Sequence, residues 1–188
     1  KLEYHKTRCH AFSDVPEILD EYVNGKKAID FGCGTGRSTR FLTKLGFSVV
    51  GIDISTEMIN IAKKIDPKGN YHLVEDGNYS NLSPNYYDLI LSAFTFDNIP
   101  MEKKEFLFTN LRNLLNENGI FINLVCSPEM YTHEWASFST KEFPDNKYLK
   151  SGDVVPIITT DFDDIRPCYD VICSDEDYKD IFSKTGFE

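Results

Sequence analysis

The residues best suited to chemistry form a glycine-rich turn with an acidic neighbour. The segment reads Asp30-Phe31-Gly32-Cys33-Gly34-Thr35-Gly36, after a short apolar run and before a helical pattern that begins at Arg37. Glycine lets the backbone turn tightly and lets a ligand approach without a Cβ in the way. The N-terminus of the following helix offers unpaired N–H groups. A carboxylate two residues before the first glycine suits a ligand that carries an ammonium group.

The spacing of the glycines argues against a dinucleotide site. That fingerprint is G-x-G-x-x-G. Counted from Gly32 the sixth position is Arg37, and counted from Gly34 it is Thr39. A nicotinamide-dependent oxidoreductase is therefore disfavoured, although it is the nearest alternative among enzymes.

Two further segments place polar groups at strand ends. Asp53 closes the second predicted strand, 21 residues after Gly32, where a carboxylate can accept hydrogen bonds from both hydroxyls of a ribose. Ile54 would then lie against the base. Glu75-Asp76-Gly77 follows the third predicted strand. Because ligands bind outside the carboxyl ends of parallel strands, these residues are expected at one sheet edge.

Alternating strands and helices must position these groups. Apolar periodicity predicts strands at 27–31, 47–53, 71–74, 87–92 and 120–125, separated by helices. Asp14, Ser55 and Ser174 are predicted helix N-caps. This order predicts an α/β fold, a Rossmann-like doubly wound and mostly parallel sheet with helices on both faces.

The alternation ends after Cys126, which suggests the organisation of a single domain. Residues 1–24 would form an N-terminal cap and residues 25–126 the cofactor-binding core. Residues 127–173 are rich in aromatic residues, proline and aspartate, and are predicted to be an insertion that acts as a substrate lid. Segments 153–160 and 169–173 would pair as an antiparallel hairpin within it, and residues 174–188 would form the last helix.

Composition narrows the function classes. The net charge of −10 disfavours a nucleic-acid partner, because phosphate contacts need a basic face. No apolar run approaches the ~20 residues of a membrane span, so no membrane association is expected. The five cysteines contain no C-x-x-C pair and are odd in number, which argues against a zinc ribbon or a disulfide framework. We therefore expect a cytoplasmic protein with no metal site.

Five segments in the right order resemble the class I S-adenosylmethionine-dependent methyltransferases, especially their small-molecule branch. The glycine turn after Ile29-Asp30 is similar to the family's first motif. Gly51-Ile52-Asp53-Ile54-Ser55, with Met58 beyond, is similar to its second. Residues 75–77 are similar to the turn that contacts the adenine in the family, and residues 87–94 are similar to its fourth strand. Residues 111–120 are similar to the segment that connects a helix to the fifth strand. The resemblance covers roughly residues 25–126 and the last helix.

The resemblance implies S-adenosylmethionine as the cofactor and a role for each matching position. Asp30 and the loop of Gly32, Cys33, Gly34 and Gly36 would hold the methionine moiety. Asp53 would bind the ribose hydroxyls, with Ile54 and Met58 in the same motif. Asp76 and the backbone of Gly77 would meet the adenine, and Phe94 would flank the sulfonium.

Two departures from the family pattern bear on fold and substrate. The family usually completes its sheet with an antiparallel hairpin after the last helix. This sequence ends at Phe187-Glu188, so that hairpin is expected to be missing or truncated. The fourth strand ends in Phe94-Thr95-Phe96-Asp97-Asn98 rather than in an Asn-Pro-Pro-Tyr-like signature, which makes DNA a poor substrate.

The expected activity is methyl transfer to a nitrogen or oxygen atom of a small-molecule acceptor. His133 and Glu134, beside Trp135 in the insertion, are the candidate catalytic residues, because histidine is the usual general base near neutral pH. Tyr131, Phe138, Phe143 and Tyr148 would add aromatic walls. The alternative from another class is a catalytically idle S-adenosylmethionine-binding module, since a fold does not fix a function.

Overall fold

A parallel sheet of five strands forms the centre of the protein. The computed structural model describes residues 11–75, 77–160 and 166–187. Its central strands are β1 (Lys27–Phe31), β2 (Ser48–Asp53), β3 (Asn70–Leu73), β4 (Tyr87–Ala93) and β5 (Leu115–Leu124). They lie in the order β3-β2-β1-β4-β5, and each neighbouring pair is parallel. The predicted doubly wound fold is confirmed.

Helices cover both faces of the sheet. The described part of the chain has five α-helices, namely α1 (Val15–Tyr22), α2 (Arg37–Lys44), α3 (Thr56–Ile65), α4 (Met101–Leu114) and α5 (Asp175–Lys184). Successive side chains of a strand point to opposite faces. Ala28 of β1 therefore packs in the cluster formed with α1 and α2, and Ile29 packs in the cluster formed with α4 and α5. Both faces are buried, which explains the nearly continuous apolar strands.

Two of the three predicted helix N-caps are confirmed by the structure. The hydroxyl of Ser55 accepts the Met58 N–H at 3.3 Å, and that of Ser174 accepts the Asp177 N–H at 3.1 Å. Asp14 precedes α1, but its side chain makes no capping hydrogen bond and its backbone is already helical. The prediction that Asp14 caps α1 was wrong, because the side chain of an N-cap reaches the N–H groups from an extended backbone.

The step from α4 to β5 also differs from the prediction. The sequence places a helix stop at Asn118-Gly119 and a strand from Ile120. In the structure α4 ends at Leu114 and β5 starts at the next residue. Tyr87 pairs with Leu115, and Leu89 then pairs with Ile120, so the register shifts between the two pairs. The Asn-Gly dipeptide lies in this irregularity rather than at the end of a helix.

The insertion folds around a small antiparallel sheet. Its strands are β6 (Phe138–Ser139), β7 (Val154–Thr159) and β8 (Cys168–Val171), and the predicted pairing of β7 with β8 is confirmed. Tyr131, Val155 and Ile172 are buried in a cluster of their own. The division of the chain into cap, core, lid and last helix stays a prediction. None of the helices that the structure describes is long and apolar enough to cross a membrane.

Candidate functional site

The glycine turn between β1 and α2 is tied to the end of β2. Gly32, Gly34 and Gly36 all have a positive φ, of 67°, 52° and 81°. Other residues adopt this conformation only at a cost. The carboxylate of Asp53 accepts the N–H of Gly34 and the N–H of Ser55, each at 2.8 Å. A Cβ added to Gly34 would meet no protein atom within 4 Å, so the turn borders open space at this residue.

A cavity of about 420 Å³ opens beside this turn, and we call it the glycine-turn cavity. Four predicted cofactor residues line it, namely Gly32, Asp53, Ile54 and Phe94. Ile54 is 67% exposed, so its apolar side chain is accessible from the cavity. Residues without a sequence prediction complete the walls, among them Phe31, Val74, Tyr79, Asn98, Lys103 and Leu107. Its size is that of a small-molecule site.

Asp30 does not reach this cavity. Its side chain is fully buried, and one carboxylate oxygen accepts the hydroxyls of Ser38 at 2.7 Å and Thr39 at 2.5 Å. Burial raises the pKa of Asp30 to about 6. The expected contact with a ligand ammonium is therefore not what the structure shows. β1 alternates its side chains, and residue 30 falls on the face covered by α2, so this carboxyl fixes the start of that helix instead.

Five other predicted cofactor positions also lie off the cavity walls, and one of them is Gly34, which borders open space instead. The thiol of Cys33 packs with Ile59 and Ala62 of α3, and burial raises its pKa. A Cβ on Gly36 would collide with Tyr71, so this glycine serves packing. The remaining two, Met58 and Gly77, do not line the glycine-turn cavity either. Asp76 lies outside the described residues.

A second cavity, of about 440 Å³, lies between the sheet edge and the insertion, and we call it the insertion cavity. Trp135 and Phe138 supply aromatic walls, and the role of the insertion as a lid stays a prediction. The other expected aromatic residues do not line it. Tyr131 is buried, Phe143 borders a different and smaller cavity, and Tyr148 is 70% exposed.

The two cavities share a wall. Phe94 and Asn98, which follow β4, border both of them. Phe94 has a φ of 63°, a left-handed conformation that is uncommon for a bulky residue and that costs free energy. The surroundings hold it there: its N–H donates to the carbonyl of Leu124 at 2.7 Å, and the Thr95 hydroxyl donates to the carbonyl of Phe31 at 3.1 Å. Strained residues of this kind gather at functional sites.

Two buried carboxylates face the insertion cavity. Asp97 and Asp170 are 5% and 7% exposed, and both line it. Asp170 accepts the Asn98 amide at 2.5 Å and the Tyr131 hydroxyl at 3.1 Å. Asp97 accepts the backbone N–H of Cys126, which lies 3.2 Å from each of its oxygens. Burial, followed by the charge of Asp170, raises the pKa of Asp97 to about 7.

The same carboxylates lie close to a thiol. One oxygen of Asp97, one of Asp170 and the sulfur of Cys126 are within 4.8 Å of one another. A thiol binds a metal only as the thiolate. Burial and the nearby carboxylates raise the pKa of Cys126, which opposes that form. We assign no metal here, and the absence of a metal site stays a prediction.

His133 and Glu134 line neither the glycine-turn cavity nor the insertion cavity, although Glu134 borders the smaller cavity that Phe143 also borders. The Nδ1 of His133 lies 2.9 Å from the carbonyl oxygen of Glu129, at an exposed position. The carboxylate of Glu134 accepts the Ser139 hydroxyl at 2.8 Å and the Thr140 N–H at 2.7 Å, and these bonds lower its pKa. Through these hydrogen bonds Glu134 stabilises the loop before β6. The structure does not bring the two predicted catalytic residues to the site.

The sequence analysis did not identify Asp97 and Asp170 as site residues. Asp97 and Asn98 directly follow β4, at the same sheet edge as the glycine turn, and this position was a usable signal. Asp170 carried no such signal. It reaches the site only because β8 pairs with β7 inside the insertion.

Comparisons with known proteins agree with this fold. A family model described as a methyltransferase domain matches residues 29–123, which is half of the chain. An uncharacterized methyltransferase of Bacillus cytotoxicus is 34% identical over 111 residues, or 57% of this chain and 51% of that protein. One of Bacillus mycoides is 34% identical over 110 residues, with the same coverage. The chain thus spans about half the length of the curated relatives it matches.

Solved structures show the same architecture at low identity. A protein of Pyrococcus horikoshii is similar with a TM-score of 0.71 and 16% identity, over 97% of this chain and 83% of that one. A protein of Methanosarcina mazei described as a SAM-dependent methyltransferase is similar with a TM-score of 0.68 and 15% identity, over 89% and 82%. At these identities the likeness shows the fold alone. The family model is the stronger finding, and with the motifs it identifies the chain as a member of the class I S-adenosylmethionine-dependent methyltransferase family.

Proposed function

We propose that the protein transfers a methyl group from S-adenosylmethionine to a nitrogen or oxygen atom of a small molecule. The observation that carries this proposal is the wall shared by the two cavities at Phe94 and Asn98. One cavity has the glycine turn and Asp53, and the other has the aromatic insertion. A donor in the first and an acceptor in the second would meet at that wall.

The residues present fit the cofactor. Asp53 projects into the glycine-turn cavity, and each of its oxygens accepts one backbone N–H, which leaves a lone pair on each for a ribose hydroxyl. The open space beside Gly34 would admit the amino-acid part of the ligand. Ile54 and Val74 offer apolar surface for an adenine. When bound, the cofactor supplies an electrophilic methyl group on a positively charged sulfur.

The protein's own contribution to the reaction would be position and exclusion of water. Methyl transfer is an in-line displacement, so the acceptor atom must face the methyl group from the side opposite the sulfur. Phe94 would separate and align the two ligands at the shared wall. Trp135 and Phe138 would keep water from the acceptor.

Binding and turnover test the proposal separately. We expect calorimetry to show S-adenosylhomocysteine binding at micromolar strength and no NAD binding. We expect labelled S-adenosylmethionine to pass its methyl group to at least one member of a metabolite panel. Binding without turnover on a broad panel would favour an idle binding module, and NAD binding without S-adenosylhomocysteine binding would contradict the proposal.

A further inference from the structure

The carboxyl group of Asp97 borders the insertion cavity, next to the wall that the two cavities share. In the chain it lies between Phe94 and Asn98, the residues that border both cavities. It is more than nine-tenths buried, and its oxygens accept the N–H of Cys126, just beyond the end of β5. This hydrogen bond fixes the carboxyl group between the ends of β4 and β5, at the sheet edge where ligands bind in such folds.

Asp97 has acceptor capacity left for a ligand, whereas Asp170 is already engaged. A carboxylate offers about four lone-pair positions. Among the described residues, the N–H and the thiol of Cys126 are the hydrogen-bond donors to Asp97. Asp170 accepts Asn98 on one oxygen and Tyr131 on the other, and it takes part in a further interaction as well. Of the two carboxyl groups, Asp97 is therefore the better partner for a ligand in the cavity.

The rest of the insertion cavity suits an uncharged ligand. Much of its wall is apolar and is formed by Phe94, Val125, Met130, Trp135, Phe138 and Ile157. An ammonium group would lose its hydration among these side chains at a large cost in free energy. A hydroxyl group carries no charge, and one strong acceptor satisfies its single donor.

The surroundings of Asp97 hold it between its two protonation states near neutral pH. Burial, followed by the charge of Asp170, raises its pKa to about 7, while the hydrogen bonds from Cys126 and the charge of Lys104 act in the opposite direction. The titratable groups that interact with it from the neighbouring elements, within the described ranges, are Asp170, Lys104, Cys126, Tyr131, Cys173 and Tyr178. A base works best when its pKa lies near the working pH, because it can then both accept a proton and release it.

We propose that the methyl acceptor is an uncharged hydroxyl compound and that Asp97 is the general base that takes its proton. This inference rests on the proposed function and makes oxygen the acceptor atom. The apolar part of the acceptor would lie against Trp135 and Phe138, and its O–H would donate to Asp97. The oxygen would then lie close to the shared wall, where the methyl group is delivered.

The chemical step balances in protons and electrons. The hydroxyl proton passes to the carboxylate of Asp97 while a lone pair on the oxygen forms the new O–C bond. The C–S bond breaks, its electron pair stays on sulfur, and the sulfur loses its positive charge. The products are a neutral ether, neutral S-adenosylhomocysteine and a protonated Asp97, which returns its proton to water after the ether has left.

Matched ligand pairs test the contact without relying on turnover. The hydroxyl probes are 4-ethylphenol, 2-phenylethanol and tryptophol. Each is compared with the analogue in which fluorine replaces the hydroxyl group, because fluorine is of similar size and donates no hydrogen bond. By calorimetry at pH 8, with and without saturating S-adenosylhomocysteine, we expect at least one hydroxyl probe to bind about tenfold more tightly than its fluorinated analogue. No such preference in any pair, or tighter binding of 2-phenylethylamine than of 2-phenylethanol, would overturn the inference.

The pH dependence of binding assigns the contact to Asp97. A hydroxyl group donates more strongly to a carboxylate than to a carboxylic acid, so the affinity of the wild type for the preferred probe should rise about fivefold from pH 6 to pH 8. Asp97→Asn should show no rise and should bind S-adenosylhomocysteine within twofold of the wild type. Asp180→Asn, at an exposed position of α5, makes the same charge change elsewhere and should keep the rise. A wild-type affinity that does not change with pH, which is measurable whether or not the variant folds, or a rise that persists in Asp97→Asn, would overturn the inference.

Turnover tests the role of Asp97 as a base. With a hydroxyl probe that accepts the methyl group, the single-turnover rate of Asp97→Asn at pH 8 should fall by about 100-fold or more, the range of general base catalysis. Asp180→Asn should keep the wild-type rate. Transfer by Asp97→Asn within threefold of the wild type would overturn the inference. Failure of the wild-type protein to bind S-adenosylhomocysteine would instead contradict the proposed function, while the probe titrations without it would still decide whether Asp97 binds a hydroxyl group.

Discussion

The carboxylate of Asp53 joins three segments at one point: the glycine turn, the end of β2 and the start of α3. It accepts the N–H groups of Gly34 and Ser55 in the structure, and the proposed ligand would add its ribose hydroxyls. We expect Asp53→Ala to weaken S-adenosylhomocysteine binding by ~1.5–3 kcal/mol, the range for hydrogen bonds to charged groups. Calorimetry checks this, with circular dichroism to confirm folding. An unchanged dissociation constant would mean that Asp53 only holds the turn.

Gly34 and Gly46 form a matched pair for testing the turn. Both have a positive φ, of 52° and 87°, and a Cβ on either would meet no protein atom within 4 Å. An alanine at each position should cost a similar ~1–2 kcal/mol of stability through backbone strain. Only Gly34 lies next to the proposed ligand, so only Gly34→Ala should weaken S-adenosylhomocysteine binding, by tenfold or more. Equal affinities in the two variants would place the ligand away from the turn.

The buried carboxyl group of Asp97 is expected to make the free energy of unfolding depend on pH. Its pKa is raised from 3.8 to about 7, so the folded state binds the proton more tightly than the unfolded state. Its contribution to stability is therefore greatest at low pH and is lost as the pH rises from about 4 to about 7. A shift of this size corresponds to a loss of roughly 4 kcal/mol.

We expect Asp97→Asn to remove that loss. Asparagine keeps the shape of the side chain and can still accept the Cys126 N–H, so the variant should be more stable than the wild type at pH 8 and similar at pH 4. Urea unfolding across this range measures the difference. Asp180→Asn should follow the wild-type curve, and parallel curves for the Asp97 variant and the wild type would show that burial does not perturb this group.

At the scale of elements, we expect particular side chains of the insertion, rather than its whole length, to contribute to acceptor binding. Trp135 borders the insertion cavity, and its indole N–H donates to the carbonyl of Met130 at 2.8 Å. His133, two residues away, borders neither the insertion cavity nor the glycine-turn cavity. We expect Trp135→Ala to raise the KM for the acceptor about tenfold, with cofactor affinity unchanged, because it removes an aromatic wall of the insertion cavity.

The matched variant is His133→Ala, which should transfer methyl groups at nearly the wild-type rate. Steady-state kinetics with a fixed acceptor, together with S-adenosylhomocysteine titrations, separate the two effects. A severe loss of turnover in the His133 variant would restore the role suggested by the sequence and would require the loop before β6 to move during the reaction.

The comparison of prediction with structure shows what local patterns determine. Strand ends, the glycine turn and the Ser55 and Ser174 caps were predictable, because each depends on residues near to one another in sequence. The direction of a side chain was not. Asp30 and Cys33 sit in the predicted turn, yet they face α2 and α3. Asp170 depends on a pairing between distant strands of the insertion, which one sequence does not specify.

At the scale of the whole molecule, charge and cavity chemistry agree. The chain carries a net charge of −10, and its insertion cavity ends in two carboxylates. An acidic surface raises the local concentration of cations. Under the proposed function, this charge is compatible with a neutral or cationic methyl acceptor.

The strand order also has a consequence for the time course of synthesis. β1 lies in the interior of the sheet between β2 and β4, and Ala28 pairs with both Val49 and Leu89. On a ribosome, β1 to β3 therefore emerge well before the strand that covers the other edge of β1. During that interval an apolar edge is open to unwanted pairing. We expect stalled nascent chains in which the residues up to 86 have left the tunnel to be protease-sensitive and chaperone-bound, with protection appearing only after residues 87–93 have also left it. Pulse proteolysis of a series of stalled lengths measures the onset, and protection already present at residue 86 would mean that the first three strands fold as a unit before their neighbour exists.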